Sequence, residues 1–183
     1  SITSCQTYFN PSHNNLVKIE IDTLINIKHL ILNNNMLTDF NMKRVIVHTS
    51  NSLIFSKLVH LNLSNNDLES VSTPQINIIE YMNISHNNRL NTYDGLISNK
   101  VLEFDASHTI LNNISVMREN RIKKLVLENT NIRTINLDSS TLEYLNVSNC
   151  VNLIGLGINK CENIKCLLAK NCKIMKAHLP ESL

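Results

Sequence analysis

The side chains able to do chemistry in this chain are few and scattered. His86 and His108, with Glu103 and Asp105 near the second, are the types that hold a transition metal or exchange a proton near neutral pH. They lie 22 residues apart (86 to 108), so a site exists only if the fold sets distant positions side by side. Five cysteines form the second candidate set: Cys5, then Cys150, Cys161, Cys166 and Cys172, the last four separated by 11, 5 and 6 residues. Structural zinc ordinarily uses C-x-x-C pairs, which this spacing lacks. Gly155-Leu156-Gly157 opens like a dinucleotide loop, but the third glycine position is Lys160. There is no G-x-x-x-x-G-K, G-x-S-x-G or H-E-x-x-H. The expectation is therefore a non-enzyme with no cofactor and no metal.

Composition narrows the partners. With 17 Lys+Arg against 15 Asp+Glu the net charge is only +2, too weak a field to argue for nucleic acid or an acidic membrane. Apolar runs such as Val45-Ile46-Val47 and Leu53-Ile54-Phe55 stop far short of the roughly 20 residues of a spanning helix, so no membrane span is expected. Of 183 residues 43% are hydrophobic, carried by Ile and Leu with no Trp and three Gly. The heavy use of Asn, alongside Ile and Lys, is also what an AT-rich genome produces.

What must position any site is a repeat. The unit L-x-x-L-x-L-x-x-N-x-L fits Ile27, Leu30, Leu32, Asn35 and Leu37, and again Leu58, Leu61, Leu63, Asn66 and Leu68. Five more copies begin at Ile79, Val101, Ile122, Leu142 and Ile164, and a degenerate one begins near Gln6. The chain thus reads as one domain of about eight rungs starting near 6, 27, 58, 79, 101, 122, 142 and 164. About ten extra residues near 42–55 interrupt the spacing and suggest an elaborated return.

This pattern resembles the leucine-rich-repeat family in its short, irregular 20 to 22 residue form. The resemblance covers nearly the whole chain and implies a solenoid: a parallel β-sheet on the concave face, extended or 3₁₀ returns on the convex face, and little α-helix. The residues agree. In L-x-L, Leu61 and Leu63 point inward and Asn62 outward, as a short strand requires. The return carries a second apolar pattern (Ile132, Ile135, Leu137) and is too short and β-branched for a full helix. The ninth slot runs Asn35, Asn66, Asn87, Thr109, Thr130, Cys150, Cys172; all can donate inward to carbonyls at the turn.

That register leaves the outward slots for recognition. The candidate partner-binding residues are His29, His60, Tyr81, Glu103, Lys124 and Tyr144 in the third slot, Asn62, Asn83, Asp105 and Asn146 in the fifth, and His86 and His108 in the eighth. A polar, hydrogen-bonding, weakly charged face with Tyr81 and Tyr144 as anchors suits a protein or peptide partner. The expected function is a recognition module: an immune-type receptor, a host-interaction factor or a scaffold. The alternative is the substrate-targeting part of an enzyme, such as a ubiquitin ligase or kinase, or a phosphatase regulatory subunit.

The remaining signals concern compartment and ends. Cys150 and Cys172 share a slot on adjacent rungs, within disulfide reach, but the four-Cys caps of many extracellular family members are missing, which favours an intracellular setting. Against it stand N-x-[ST] sequons at Asn62, Asn83, Asn113 and Asn146, which suggest a secreted chain with N-glycans. Three of the four coincide with L-N-[LIV]-S, where the repeat itself calls for Asn and Ser. No polar cap follows the rung at Ile164, pointing to a fragment of a longer chain or to a homodimer through that rung.

Overall fold

A computed structural model describes residues 7–19, 27–41, 57–73, 79–94, 96–97, 100–116 and 120–183. The extra residues 42–55, Cys5 and Gln6 lie outside them. The described residues form a parallel β-solenoid, with no α- or 3₁₀-helix among them. Of the two kinds of return the sequence allows, the extended one is realised.

Eight short strands make the principal sheet: β1 (Tyr8–Phe9), β2 (His29–Ile31), β4 (His60–Asn62), β6 (Tyr81–Asn83), β9 (Glu103–Asp105), β11 (Lys124–Val126), β13 (Tyr144–Asn146) and β15 (Cys166–Leu168), paired in that order. Every pairing is parallel and joins like slots, so His60 lies beside Tyr81 and Leu61 beside Met82. The returns form smaller parallel sheets: β3 (Asp39–Asn41), β5 (Ser70–Ser72) and β7 (Thr92–Asp94); β8 (Leu96–Ile97) with β10 (Ser115–Val116); and β12 (Thr134–Asn136), β14 (Gly155–Gly157) and β16 (Lys176–His178).

Between sheet and returns lies a continuous apolar column. Leu30, Leu61, Leu125 and Leu145 from the fourth slot and Leu32, Leu63, Leu127 and Val147 from the sixth are fully buried, and Phe40, Val71, Ile135 and Leu156 reach them from the returns. Each such side chain contributes about 1.5–3 kcal/mol, but only when the next rung covers it. At the end of the stack that cover thins: Leu167, Ala169 and Ile174 are only partly buried, and Met175 is 86% exposed.

The ninth-slot ladder is built as its residue types demand. Asn66 Nδ2 donates to Leu63 O of its own rung (3.0 Å) and to Leu32 O of the rung before (3.0 Å), while its Oδ1 accepts from Leu37 N (3.0 Å). Asn87 repeats this against Ile84 O, Leu63 O and Leu68 N. Asn14, at the corresponding place before them, donates to Pro11 O at 3.1 Å. Thr109 and Thr130 donate to Ala106 O (2.8 Å) and Leu127 O (2.9 Å) of their own rungs, and Thr130 Oγ1 also lies 3.3 Å from Cys150 Sγ of the next. The longer Cys150 and Cys172 thiols reach back a rung, to Leu127 O (3.0 Å) and Val147 O (3.1 Å). Cys150, Cys161, Cys166 and Cys172 are all free in this structure.

Candidate functional site

Each outward column of the sheet has its own backbone requirement, and these requirements decide which polar groups are left for a partner. In the eighth slot, His13, Asn34, Asn65, His86, His108, Asn129, Asn149 and Asn171 all have φ between 53° and 60°. An ordinary L-residue loses roughly 1–2 kcal/mol in that left-handed region, and Asn, Asp and His are the side chains that visit it most readily. The turn aims each backbone N–H at the next rung, His86 N donating to Ser107 O (2.9 Å) and Asn65 N to Ser85 O (3.0 Å). The alternation of Asn and His in this slot is thus a backbone signal, legible in the sequence but read there as recognition. His86 and His108 do come together, their rings stacked at 4.3 Å and 13°, with Asn129 Nδ2 against His108 Nδ1 at 3.1 Å. Among the described residues no group of three or more His, Cys, Asp or Glu is placed to hold a metal.

The fifth slot is half structural. Asn62 Oδ1 accepts from Ser64 N (3.0 Å) and Ser64 Oγ (2.8 Å), and Asn83 Oδ1 from Ser85 N (2.9 Å) and Oγ (2.7 Å). Asp105 Oδ1 accepts the same pair from Ser107 (2.9 and 2.7 Å), and Asn146 Oδ1 accepts from Ser148 N (3.0 Å). Wherever the fifth slot holds Asn or Asp, the seventh holds Ser; where it holds Ile31, Val126 or Leu168, the seventh is Asn33, Glu128 or Lys170. Three of the N-x-S sequons are therefore turn locks. Asn113, in the fourth, is an exposed residue just before β10. The Asn146 amide is also engaged on its donor side, reaching Glu128 Oε2 at 2.9 Å, so Asn146 offers less to a partner than Asn62 or Asn83.

The third slot carries a line of rings. Tyr8, His29, His60 and Tyr81 follow one another at centroid distances of 5.8, 5.9 and 5.9 Å, with the His60 and Tyr81 rings near-parallel at 29°. Tyr8 extends a column that the degenerate first rung had hidden. Beyond Tyr81 the column becomes charged: Glu103 and Lys124 approach to 4.0 Å, and the Lys124 ammonium sits 5.8 Å from the Tyr144 ring. Both ends of that ion pair are half exposed, so its worth is small.

These columns enclose an open depression on the sheet lined by His60, Asn62, Tyr81, Asn83, Glu103, Asp105 and Lys124, with Met82, Phe104 and Val126. Seven of the candidate residues are thereby brought together. His29, Tyr144 and Asn146 lie along the same columns outside it, and His86 and His108 belong to the turn beside it. Met82 and Phe104 are core side chains whose alternation gave no hint that they also form a floor.

His60 is held below the ordinary imidazole value, chiefly by burial, then by the neighbouring His29, with Glu103 pulling the other way. As pH falls, the unfolded chain takes up its proton first, near about 6.5. The stability contributed by neutral His60 is complete above that pH and is lost as pH falls towards the folded value. Urea midpoints measured between pH 7.5 and 5.5 should drop, and His60→Gln should flatten part of that drop. An unchanged slope in the variant counts against this assignment.

Fold and site together define a parallel β-solenoid with one polar, ring-lined sheet face. No family model and no curated protein matches the sequence. Among solved structures it is similar to the functional domain of InlJ from Listeria monocytogenes, described as including a cysteine ladder, at 13% identity and a TM-score of 0.29, over 94% of this chain. The chain spans 62% of that one. At this TM-score the likeness adds nothing to what the strand ladders establish. No helix among the described residues is long and apolar enough to cross a membrane.

Proposed function

We propose that this is a protein-recognition module of the leucine-rich-repeat kind, binding a protein or peptide partner through the outward face of its principal sheet and performing no catalysis itself. The observation that carries the reading is the convergence of Tyr81, His60, Glu103, Lys124 and the Asn62 and Asn83 amides on one depression. These side chains are held by rigid strands yet are not consumed by the fold. Pre-set strand positions cost little ordering entropy on binding, and exposed rings flanked by polar groups are the side chains that anchor protein interfaces. The module is equally compatible with service as the targeting part of a larger enzyme.

Affinity capture with the wild type and a Tyr81→Ala/Tyr144→Ala double variant tests the face. Losing two anchors should weaken a genuine partner by tenfold or more, since an anchor truncation costs about 2 kcal/mol or more and about 1.4 kcal/mol is tenfold. Unchanged recovery places the site elsewhere.

A further inference from the structure

The same sheet face carries a more specific feature. We infer that the depression seats a cationic side chain of the partner, a guanidinium by preference, between the Tyr81 ring and the carboxylates of Glu103 and Asp105; this rests on the reading of the sheet as a recognition surface.

Asp105 is the starting point. On the rungs whose seventh slot is serine, the fifth-slot side chain gives an oxygen that accepts from it, and Asp105 supplies that oxygen to Ser107 as Asn62 and Asn83 do to Ser64 and Ser85. Asparagine does the same on four other rungs, at Asn10, Asn62, Asn83 and Asn146. The negative charge of Asp105 is therefore surplus to the fold. Its second carboxylate oxygen makes no hydrogen bond among the described residues, and the residue lines the depression.

Glu103 lies two residues earlier on the same strand and lines the same hollow. Its ion pair with Lys124 is at 4.0 Å, long enough to be exchanged for a better donor. Counting Glu103, Asp105 and Lys124, the lining carries one net negative charge on a chain whose total is +2. His60, kept towards its neutral form by burial, adds no opposing charge. The hollow is complementary to a cation in a molecule that is otherwise weakly basic.

Tyr81 supplies the wall. One side of its ring meets His60, while its other strand neighbour is Glu103, not another ring. A cation seated there has a π face on one side and carboxylates on the other, the arrangement that holds charged side chains against aromatics. Carboxylates two residues apart on a strand stand roughly 7 Å apart at Cα. A planar guanidinium with five donors can reach both while lying on the ring, whereas an ammonium is a point charge suited to one.

A random heptapeptide library selected on the immobilised full chain, with Tyr81→Ala protein as counter-selection, tests this. Peptides that require Tyr81 should be enriched in Arg. Asp105→Asn and Glu103→Gln should each weaken them about tenfold, as should citrulline in place of the peptide's Arg, since a charged hydrogen bond is worth about one such factor. Asp105→Asn reproduces the residue found on neighbouring rungs, so its melting curve should match the wild type and the loss cannot be charged to unfolding. Tyr81-dependent peptides without Arg enrichment, or indifferent to Asp105→Asn, overturn the cation seat and leave the recognition face standing. Enrichment in Asp or Glu overturns it in favour of Lys124. If no peptide requires Tyr81, both readings fall.

Discussion

Replacing Asn87 by Ala is expected to destabilise the protein by about 3–5 kcal/mol in urea or thermal unfolding. The side chain is 0% exposed, and its amide satisfies Ile84 O in its own rung and both Leu63 O and Leu68 N in the rung before. Alanine takes the side-chain partner from Ile84 O and Leu68 N at once, at about 1–3 kcal/mol each, while Leu63 O loses one of two amide donors and keeps Asn66 Nδ2; water entering the space left behind gives some relief. Asn87→Thr separates the two parts of that loss. Threonine keeps the bond within its own rung, as Thr109 does to Ala106 O, but cannot span to the preceding one. Its cost should be about half that of alanine. A threonine variant as stable as the wild type would mean that the cross-rung bonds contribute nothing and that the asparagines could have been threonines throughout, whereas equal costs for the two variants would put the whole loss in the cross-rung bonds.

The same ladder shows how far the sequence could be read. The repeat register placed the strands of the principal sheet, the first only by counting back one repeat from Ile27, and alternation set their faces, because a residue such as Leu61 has nowhere to go but inward when Asn62 and His60 face out. The inward role of Asn35, Asn66 and Asn87 followed from counting buried donors and acceptors. What the sequence could not separate were two reasons for one residue type. Asn65 and His86 are polar and outward, which suits a binding face, but their φ of 53° and 54° makes them turn residues first. A column restricted to Asn and His over eight rungs was the available clue, since a surface under selection for binding alone would not exclude Ser, Lys or Gln so consistently. Asn62 and Asn83 were similarly ambiguous, and the serine always following at the seventh slot was the sign that half of each amide belongs to the fold. The depression itself was not legible. It depends on Phe104 and Met82 serving as core on one side and floor on the other, and alternation assigns a residue to only one.

Phe104→Ala is the substitution for which that double role predicts two separable effects. Phe104 is 1% exposed, one of the two largest fully buried side chains among the described residues, and its ring packs 5.4 Å from Tyr93 of the return. It sits in register between Met82 and Leu125, so truncation opens a cavity touching three consecutive rungs. Large-to-small changes of this kind cost about 3–5 kcal/mol, and Phe104→Leu, which refills most of the volume, should cost clearly less. Because each rung packs only on its neighbours, the damage should be graded along the stack. Hydrogen exchange should quicken most in β6, β9 and β11 and least in β1 and β15, at the two ends of the sheet. Uniform loss of protection along the whole chain would show that the solenoid unfolds as one cooperative unit, and that local stacking is the wrong picture of its stability. The second effect concerns the depression. Glu103 and Asp105 flank Phe104 on the same strand, so a softened floor lets both carboxylates move, and Tyr81-dependent peptides should dissociate faster from the Ala variant even under conditions where it remains folded. If those peptides bind the Ala variant with unchanged dissociation rates, the carboxylates are held by the backbone ladder and the Ser107 lock alone, and the floor is core and nothing more.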